Sequence, residues 1–311
     1  MGSTANDANF NAWVTEAVDT GNRGKVEGVL SVFPLLAMVI VSGISGILID
    51  SIGYPLFFVC LGGLVAIAGI AGIFIIRDQT KPMGQRESYF SDILYGFRPS
   101  VIKANKTLYL SFVCMGIFGI AFQVVMPYLL IYFEHYLKMP TATYSIVLAS
   151  VIFASSVIGI ILGRMVDRFG RRKFAFASVG VFTAGLAMFF FVRATLPVSL
   201  AGVIMLAGYL LLSIVINTTV RDNTPQEKVG LFQGVRMIFF VLIPMTAGPA
   251  IGNAVISTSD TTFINEFHEV TRIPTPGIFL AAAVVSVLII IPMIYVLKSS
   301  KEDRKNGKKQ G

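Results

Sequence analysis

Eight stretches of this chain contain no Asp, Glu, Lys or Arg and are each long enough to cross a lipid bilayer: 28–49, 53–76, 108–133, 139–163, 174–192, 194–220, 237–259 and 273–297. The shortest has 19 residues, and about 20 apolar residues span a hydrocarbon core of ~30 Å. One such stretch could be the buried helix of a large soluble protein. Eight in series leave too little polar surface to face water, and only 14% of the residues are charged, against about a quarter in a soluble domain. A barrel strand crosses in about 10 residues with strict alternation. Here the apolar residues run without alternation, so the stretches are read as helices, whose backbone groups bond within the segment as lipid requires. The sequence therefore predicts an all-α membrane protein, a helical bundle whose first partner is the bilayer.

The basic residues orient the bundle. Of the 25 Lys and Arg, 22 fall in the odd-numbered water-facing stretches and 3 in the even-numbered ones. Basic loops mark the cytoplasmic side, so both termini are expected inside and the protein is expected in the cell membrane. The net charge of +8 is this bias, and no nucleic-acid partner is implied. Cys60 and Cys114 sit in apolar stretches as small packing residues. His135 and His268 lie far apart in sequence, and no metal site is expected. The chain has no Walker loop, no zincin His-Glu pair and no serine nucleophile elbow, so neither ATP-driven work nor enzyme chemistry is expected.

An internal repeat carries the architecture. A shift of 206 residues places Gly2 on Gly208, Asn11 on Asn217, Val14 on Val220, Glu16 on Asp222, Gly24 on Gly230, Gly28 on Gly234, Phe33 on Phe239 and Gly46 on Gly252. Glycines and polar residues in an apolar background are where helix packing constrains identity. About 200 residues hold six membrane helices at this spacing. The reading is thus two parallel halves: residues 1–76 carry the end of a fourth helix with helices five and six, 77–107 form a linker, 108–298 form a complete second half, and 299–311 are a basic tail. Tyr89, Phe90, Ile93, Leu94 and Phe97 recur at helical spacing within the linker, which fits an amphipathic helix on the cytoplasmic leaflet ended by Pro99. A solvated linker fits equally.

One loop narrows the class. Gly163-Arg164-Met165-Val166-Asp167-Arg168-Phe169-Gly170-Arg171-Arg172 joins two spans by a tight turn. It resembles the loop signature of the major facilitator superfamily, G-x-x-x-D-R-x-G-R-R, at every position. The resemblance implies a secondary active transporter of a small-molecule solute, acting as a monomer by alternating access, with no cofactor beyond a coupling ion, Na⁺ or H⁺. The physics of a gate fits. Gly163 lets two helices approach, and Gly170 permits a turn at positive φ. Asp167 can sit at the N-terminus of a neighbouring helix, where backbone N–H groups lack partners and the dipole is positive; the helix near Gly28 is the expected one. The family likeness further implies that Asp222 pairs with Arg168 or Arg171, and the repeat makes Glu16 and Arg23 the first-half equivalents of the Arg221-Asp222 loop.

The polar run Asn6-Asp7-Ala8-Asn9-Phe10-Asn11-Ala12-Trp13 resembles the fourth helix of the glycoside–pentoside–hexuronide:cation symporters. There an Asp ahead of an aromatic-containing segment helps to bind the coupling cation; Asp7 falls at that place. The family also has a basic residue midway along helix eleven, where this chain has Phe240, Val241 and Leu242, with Arg236 the nearest base. Gln123, Tyr128, Asn11 and Asn217 are candidates for the solute pathway, because amides and aromatic faces suit sugar hydroxyls. For each, an interhelical hydrogen bond is the alternative. The functional expectation is cation- or proton-coupled uptake of a sugar or glycoside-like solute. An exporter of amphipathic compounds and a non-transporting fragment are the competing readings. With the first helices of the plan not represented, no transport is expected of the 311 residues alone.

A reporter enzyme fused after Lys309 is expected to be active only in its cytoplasmic form; a periplasmic reading would overturn the orientation drawn from the basic loops.

Overall fold

The structure is a computed structural model that describes residues 10, 13–14, 18–75, 95–225, 229–264 and 268–307. A short 3₁₀ turn, Thr20–Asn22, leads into helix α1, Arg23–Ile75. Gly53, at φ 76° and ψ 161°, divides α1 into two arms; that backbone conformation belongs to glycine almost alone. After the linker come α2 (Pro99–Ala104), α3 (Lys106–Tyr136), α4 (Thr141–Phe169), α5 (Arg171–Phe191), α6 (Thr195–Asn223) and α7 (Val229–Ile256). An antiparallel hairpin of β1 (Thr262–Ile264) and β2 (Val270–Arg272) precedes α8 (Gly277–Val287) and α9 (Ile290–Gly307).

Among the described residues, seven helical segments are long and apolar enough to cross a membrane. They are the second arm of α1, α3 to α7, and the continuous run Gly277–Lys298. The eighth expected span, 28–49, lies in the first arm of α1 and is helical throughout. Pro99 opens α2: lacking an N–H, it costs nothing at a first helical position. The expected amphipathic helix of the linker lies largely outside the described residues.

Prolines shape α3, which carries Gln123 and Tyr128, and α7, which packs against it. In α3 a 3₁₀ turn at Met126–Tyr128 surrounds Pro127, and the helix then widens to a π turn at Tyr132–Tyr136. In α7 a π turn at Ile238–Leu242 comes just before Pro244. A proline supplies no amide to the preceding turn, so the ladder there must shift.

Helices α3 and α6 are the most enclosed. α3 and α6 stack Phe122 on Tyr209 at 4.2 Å, and around them α5 and α8 stack Phe189 on Phe279 at 4.5 Å between ring centres. Exposed apolar side chains such as Phe153, Phe191 and Leu196 ring the outside, as lipid-facing positions do. The second arm of α1 buries none of its apolar window. Helices α5 and α6 meet through glycines: a Cβ on Gly208 would lie 2.4 Å from the Phe182 backbone nitrogen, and one on Gly185 would lie 2.3 Å from Met205.

Gly208→Val should push α5 and α6 apart at a cost of about 1–3 kcal/mol, typical of overpacking. Thermal unfolding in detergent is expected to shift downward, whereas Gly180→Ala, with open space around it, should leave it unchanged.

Candidate functional site: a contact layer at the basic end

The site begins with two pairs of glycines. Gly24 and Gly28 are spaced four apart on α1, and Gly159 and Gly163 four apart on α4. The four face each other. A Cβ on Gly163 would stand 2.7 Å from the Gly24 carbonyl oxygen and 3.2 Å from the Gly28 Cα; one on Gly28 would stand 3.3 Å from the Gly159 carbonyl. Small residues at this spacing let helix backbones touch in lipid. The crossing delivers the last turn of α4 to the first turn of α1.

Asp167 is the consequence. Its Oδ1 accepts from the Gly24 amide at 2.8 Å and its Oδ2 from the Lys25 amide at 2.7 Å. Both donors belong to the first turn of α1, which has no intrahelical acceptors for them. On its own helix the Asp167 carboxylate sits unfavourably, near a negative dipole end; at the positive end of α1 it gains about 0.3–1 kcal/mol beyond the hydrogen bonds. Gly170 then ends α4 and caps α5 with φ 85°, a left-handed turn that needs a residue without Cβ.

Two ion pairs flank this cap. Arg23 Nη1 donates to Asp222 Oδ1 at 2.5 Å. Arg221 Nε donates to Glu27 Oε1, with both side chains only 5% exposed. Arg23 and Glu27, one turn apart on α1, thus take Asp222 and Arg221, neighbours at the end of α6. Burial pushes the Arg23 guanidinium below its ordinary pKa, yet an arginine stays protonated at any working pH. The family likeness pairs Asp222 with Arg168 or Arg171; Arg168 is exposed and lies over its neighbour Phe169, 5.3 Å from the ring centre. The side chain of Arg171 lies outside the described residues. Arg172 has a buried Nη2 with no hydrogen-bond partner among the described residues.

Comparison with protein families decides the class: the model of the Major Facilitator Superfamily matches residues 111–311, more than half of the chain. The chain belongs to the major facilitator superfamily. The fold class read from the sequence is therefore that of this family of multi-pass transporters. Comparison with curated proteins finds no match.

The other candidates separate into three groups within this major facilitator chain. Asp7, Asn11 and Glu16 lie outside the described residues. Tyr128 and Asn217 spend polar atoms inside the bundle. The Tyr128 hydroxyl donates to the Pro249 carbonyl at 2.9 Å, tying α3 to α7. Asn217 donates to Ser213 at 3.0 Å and accepts from Arg236 at 2.9 Å. Gln123 differs: it is half-buried on α3, its backbone lies against Gly248 of α7, and its amide makes no hydrogen bond among the described residues.

Sequence reasoning passed over Glu27, Gly159 and the burial of Arg236. The signals were present. The two G-x-x-x-G spacings match each other, and Arg23 with Glu27 at a four-residue interval presents one face to a partner. The partner itself could not be read, because it depends on how α1 and α6 are rotated against each other.

Asp167→Ala removes both acceptors from the first turn of α1. Amide exchange across residues 23–28 should quicken about tenfold, the equivalent of roughly 1 kcal/mol or slightly more. Asp167→Asn, which keeps one oxygen acceptor, should fall between. Unchanged exchange in the alanine variant would show that the cap does not hold α1 in place.

Proposed function

We propose that the protein is a cation- or proton-coupled transporter of a sugar or glycoside-like solute, and that the layer joining α1 to α4 and α6 is its cytoplasmic gate, seen closed. The observation that carries the reading is the Asp167 carboxylate on the Gly24 and Lys25 amides, flanked by two ion pairs to the same helix turn. In this reading the basic loops lie on the cytoplasmic side, α1 belongs to the first half of a two-half transporter, and α3 to α9 form the second half.

The chemistry suits a contact that must break and reform. A dipole contact contributes about 0.3–1 kcal/mol, and an ion pair near a wet surface about 0–1 kcal/mol. Their sum is within reach of the few kcal/mol that separate conformers of an alternating protein. The buried Glu27–Arg221 pair adds register more than stability, since desolvation offsets its attraction.

Solute chemistry rests on Gln123 and the rings beside it. An amide with donor and acceptor both open, next to the Phe122–Tyr209 stack, offers directional bonds and an apolar face to a hydroxylated ring. Coupling is assigned to Asp7, on the symporter likeness. In the sequence Asp7 stands close to Asn6, Asn9 and Asn11, and a carboxylate taken partly out of water gains by binding Na⁺ or taking a proton.

The test is uptake in proteoliposomes by the protein with whatever in-frame residues precede Met1 in its gene, under an imposed Na⁺ or proton gradient. Labelled galactosides are expected to accumulate. Gln123→Ala should lower their uptake at least tenfold, as loss of two hydrogen bonds in a desolvated site does. Asp7→Asn should abolish uphill accumulation and spare exchange. Dye efflux without sugar uptake would replace the symporter with an exporter, and transport of neither would favour a non-transporting membrane fragment.

A further inference from the structure

Arg236 is buried within a membrane-spanning helix and belongs to no part of the contact layer described above. It is 7% exposed. Its Nη2 donates to Asn217 Oδ1 at 2.9 Å, its Nη1 donates to Gln233 Oε1 at 3.3 Å, and its guanidinium lies over the Phe240 ring at 5.5 Å. Asn217 in turn donates to Ser213. A guanidinium taken out of water is costly, and a membrane protein retains one where it fixes a geometry that apolar packing would leave free.

Its neighbours indicate which geometry. Asn217 stands one turn before Arg221 on α6, and Arg221 holds Glu27 of α1. Phe240 lies in the π turn Ile238–Leu242, where α7 leaves regular helix. Beyond that turn, α7 packs Gly248 on Gln123 and bonds Tyr128 through Pro249. Contacts therefore run from α1 through Glu27, Arg221, Asn217 and Arg236 to the irregular turn of α7, and from α7 to the half-buried amide on α3.

We propose that Arg236 is a positioning residue that makes the α7 π turn and the α1–α6 ion pair switch together, so that opening the basic end changes the setting of α7 against α3. The proposal rests on the gate reading but needs no knowledge of the solute. Contiguity of contacts alone does not establish coupling; a double-mutant cycle does.

The experiment uses the purified 311-residue chain in lipid nanodiscs, with Cys60 and Cys114 replaced by Ala and a nitroxide at Leu242, an exposed position in the π turn. Amide exchange over residues 23–28 reports the basic end, and the nitroxide spectrum reports α7. Glu27→Gln should quicken the exchange at least tenfold, as loss of a charge-assisted hydrogen bond from a buried pair does, and should alter the Leu242 spectrum. In an Arg236→Gln background, Glu27→Gln should still quicken exchange but no longer move the spectrum, and Arg236→Lys should restore part of the response. Asn217→Ala breaks the same link from α6 and should reproduce Arg236→Gln, which covers the case that the arginine variant fails to fold. A Leu242 response to Glu27→Gln that persists in both backgrounds overturns the proposal, even where Arg236→Gln lowers thermal stability. Quickened exchange with no Leu242 response in the parent overturns the coupling and leaves the gate standing. No quickening at all overturns both.

Discussion

The two oxygens of Asp167 on the backbone amides of Gly24 and Lys25 fix where everything else at the basic end can be. A carboxylate reaches a helix N-terminus on another helix only if the two backbones nearly touch, and Gly24, Gly28, Gly159 and Gly163 permit that approach. Once α4 is docked there, α1 has one rotation left that satisfies its charged residues. That rotation turns Arg23 and Glu27 toward the end of α6, where Asp222 and Arg221 wait in complementary order. The glycines supply proximity, the carboxylate supplies register along the helix, and the ion pairs supply rotation about it.

The two ion pairs do different work despite their similar look. Arg23–Asp222 is partly exposed on its acidic side, so solvent and salt screen it and its contribution is small. Glu27–Arg221 is enclosed on both sides. Its net stabilisation is also small, because desolvation offsets the attraction, but removal of one partner leaves a buried charge and costs about 3–5 kcal/mol. The buried pair therefore penalises misaligned closure far more than it favours closure. In the proposed gate that asymmetry would leave the contact weak enough to open and intolerant of a wrong fit.

How much of this was legible in the sequence follows from what each element depends on. Helices in lipid depend on hydropathy, and the charge-free stretches marked them, including the first arm of α1. The place of Asp167 was legible because an acidic residue at the end of its own helix is misplaced unless another helix N-terminus receives it. The loop likeness to the major facilitator signature told which helix. What was less legible depended on rotation or on a residue with two uses. Asp222 was expected to pair with Arg168 or Arg171; Arg168 turns outward over Phe169, Arg23 bonds the carboxylate, and the Arg171 side chain lies outside the described residues. Pro99 was read as a stop for the linker helix, and it is also the first residue of α2, a place that suits proline. Tyr128 and Asn217 were read as pathway candidates with an interhelical hydrogen bond as the alternative, and which hydrogen bonds they make within the bundle depends on the offset of α3 and α6 against α7, which the sequence does not carry.

The polar groups of the described bundle are sorted by depth, and the sorting constrains any coupling mechanism. Charged side chains stand at the two ends, those of the basic end on α1, α4 and α6 with Arg236 on α7, and Glu134, Lys138 and Arg193 at the opposite end. The central parts of α3 to α8 hold amides and hydroxyls, among them Gln123, Tyr209 and the Thr183–Ser286 pair at 2.7 Å, and their charge-free stretches contain no carboxylate. A proton needs a group that titrates, and a hard cation is held more tightly where carboxylate oxygen joins amide oxygen. Neutral groups such as these suit an uncharged hydroxylated solute but cannot by themselves bind its driving ion tightly. If transport is cation-coupled, the carboxylate must come from outside these stretches, which is why Asp7, set among three asparagines, carries that part of the proposal.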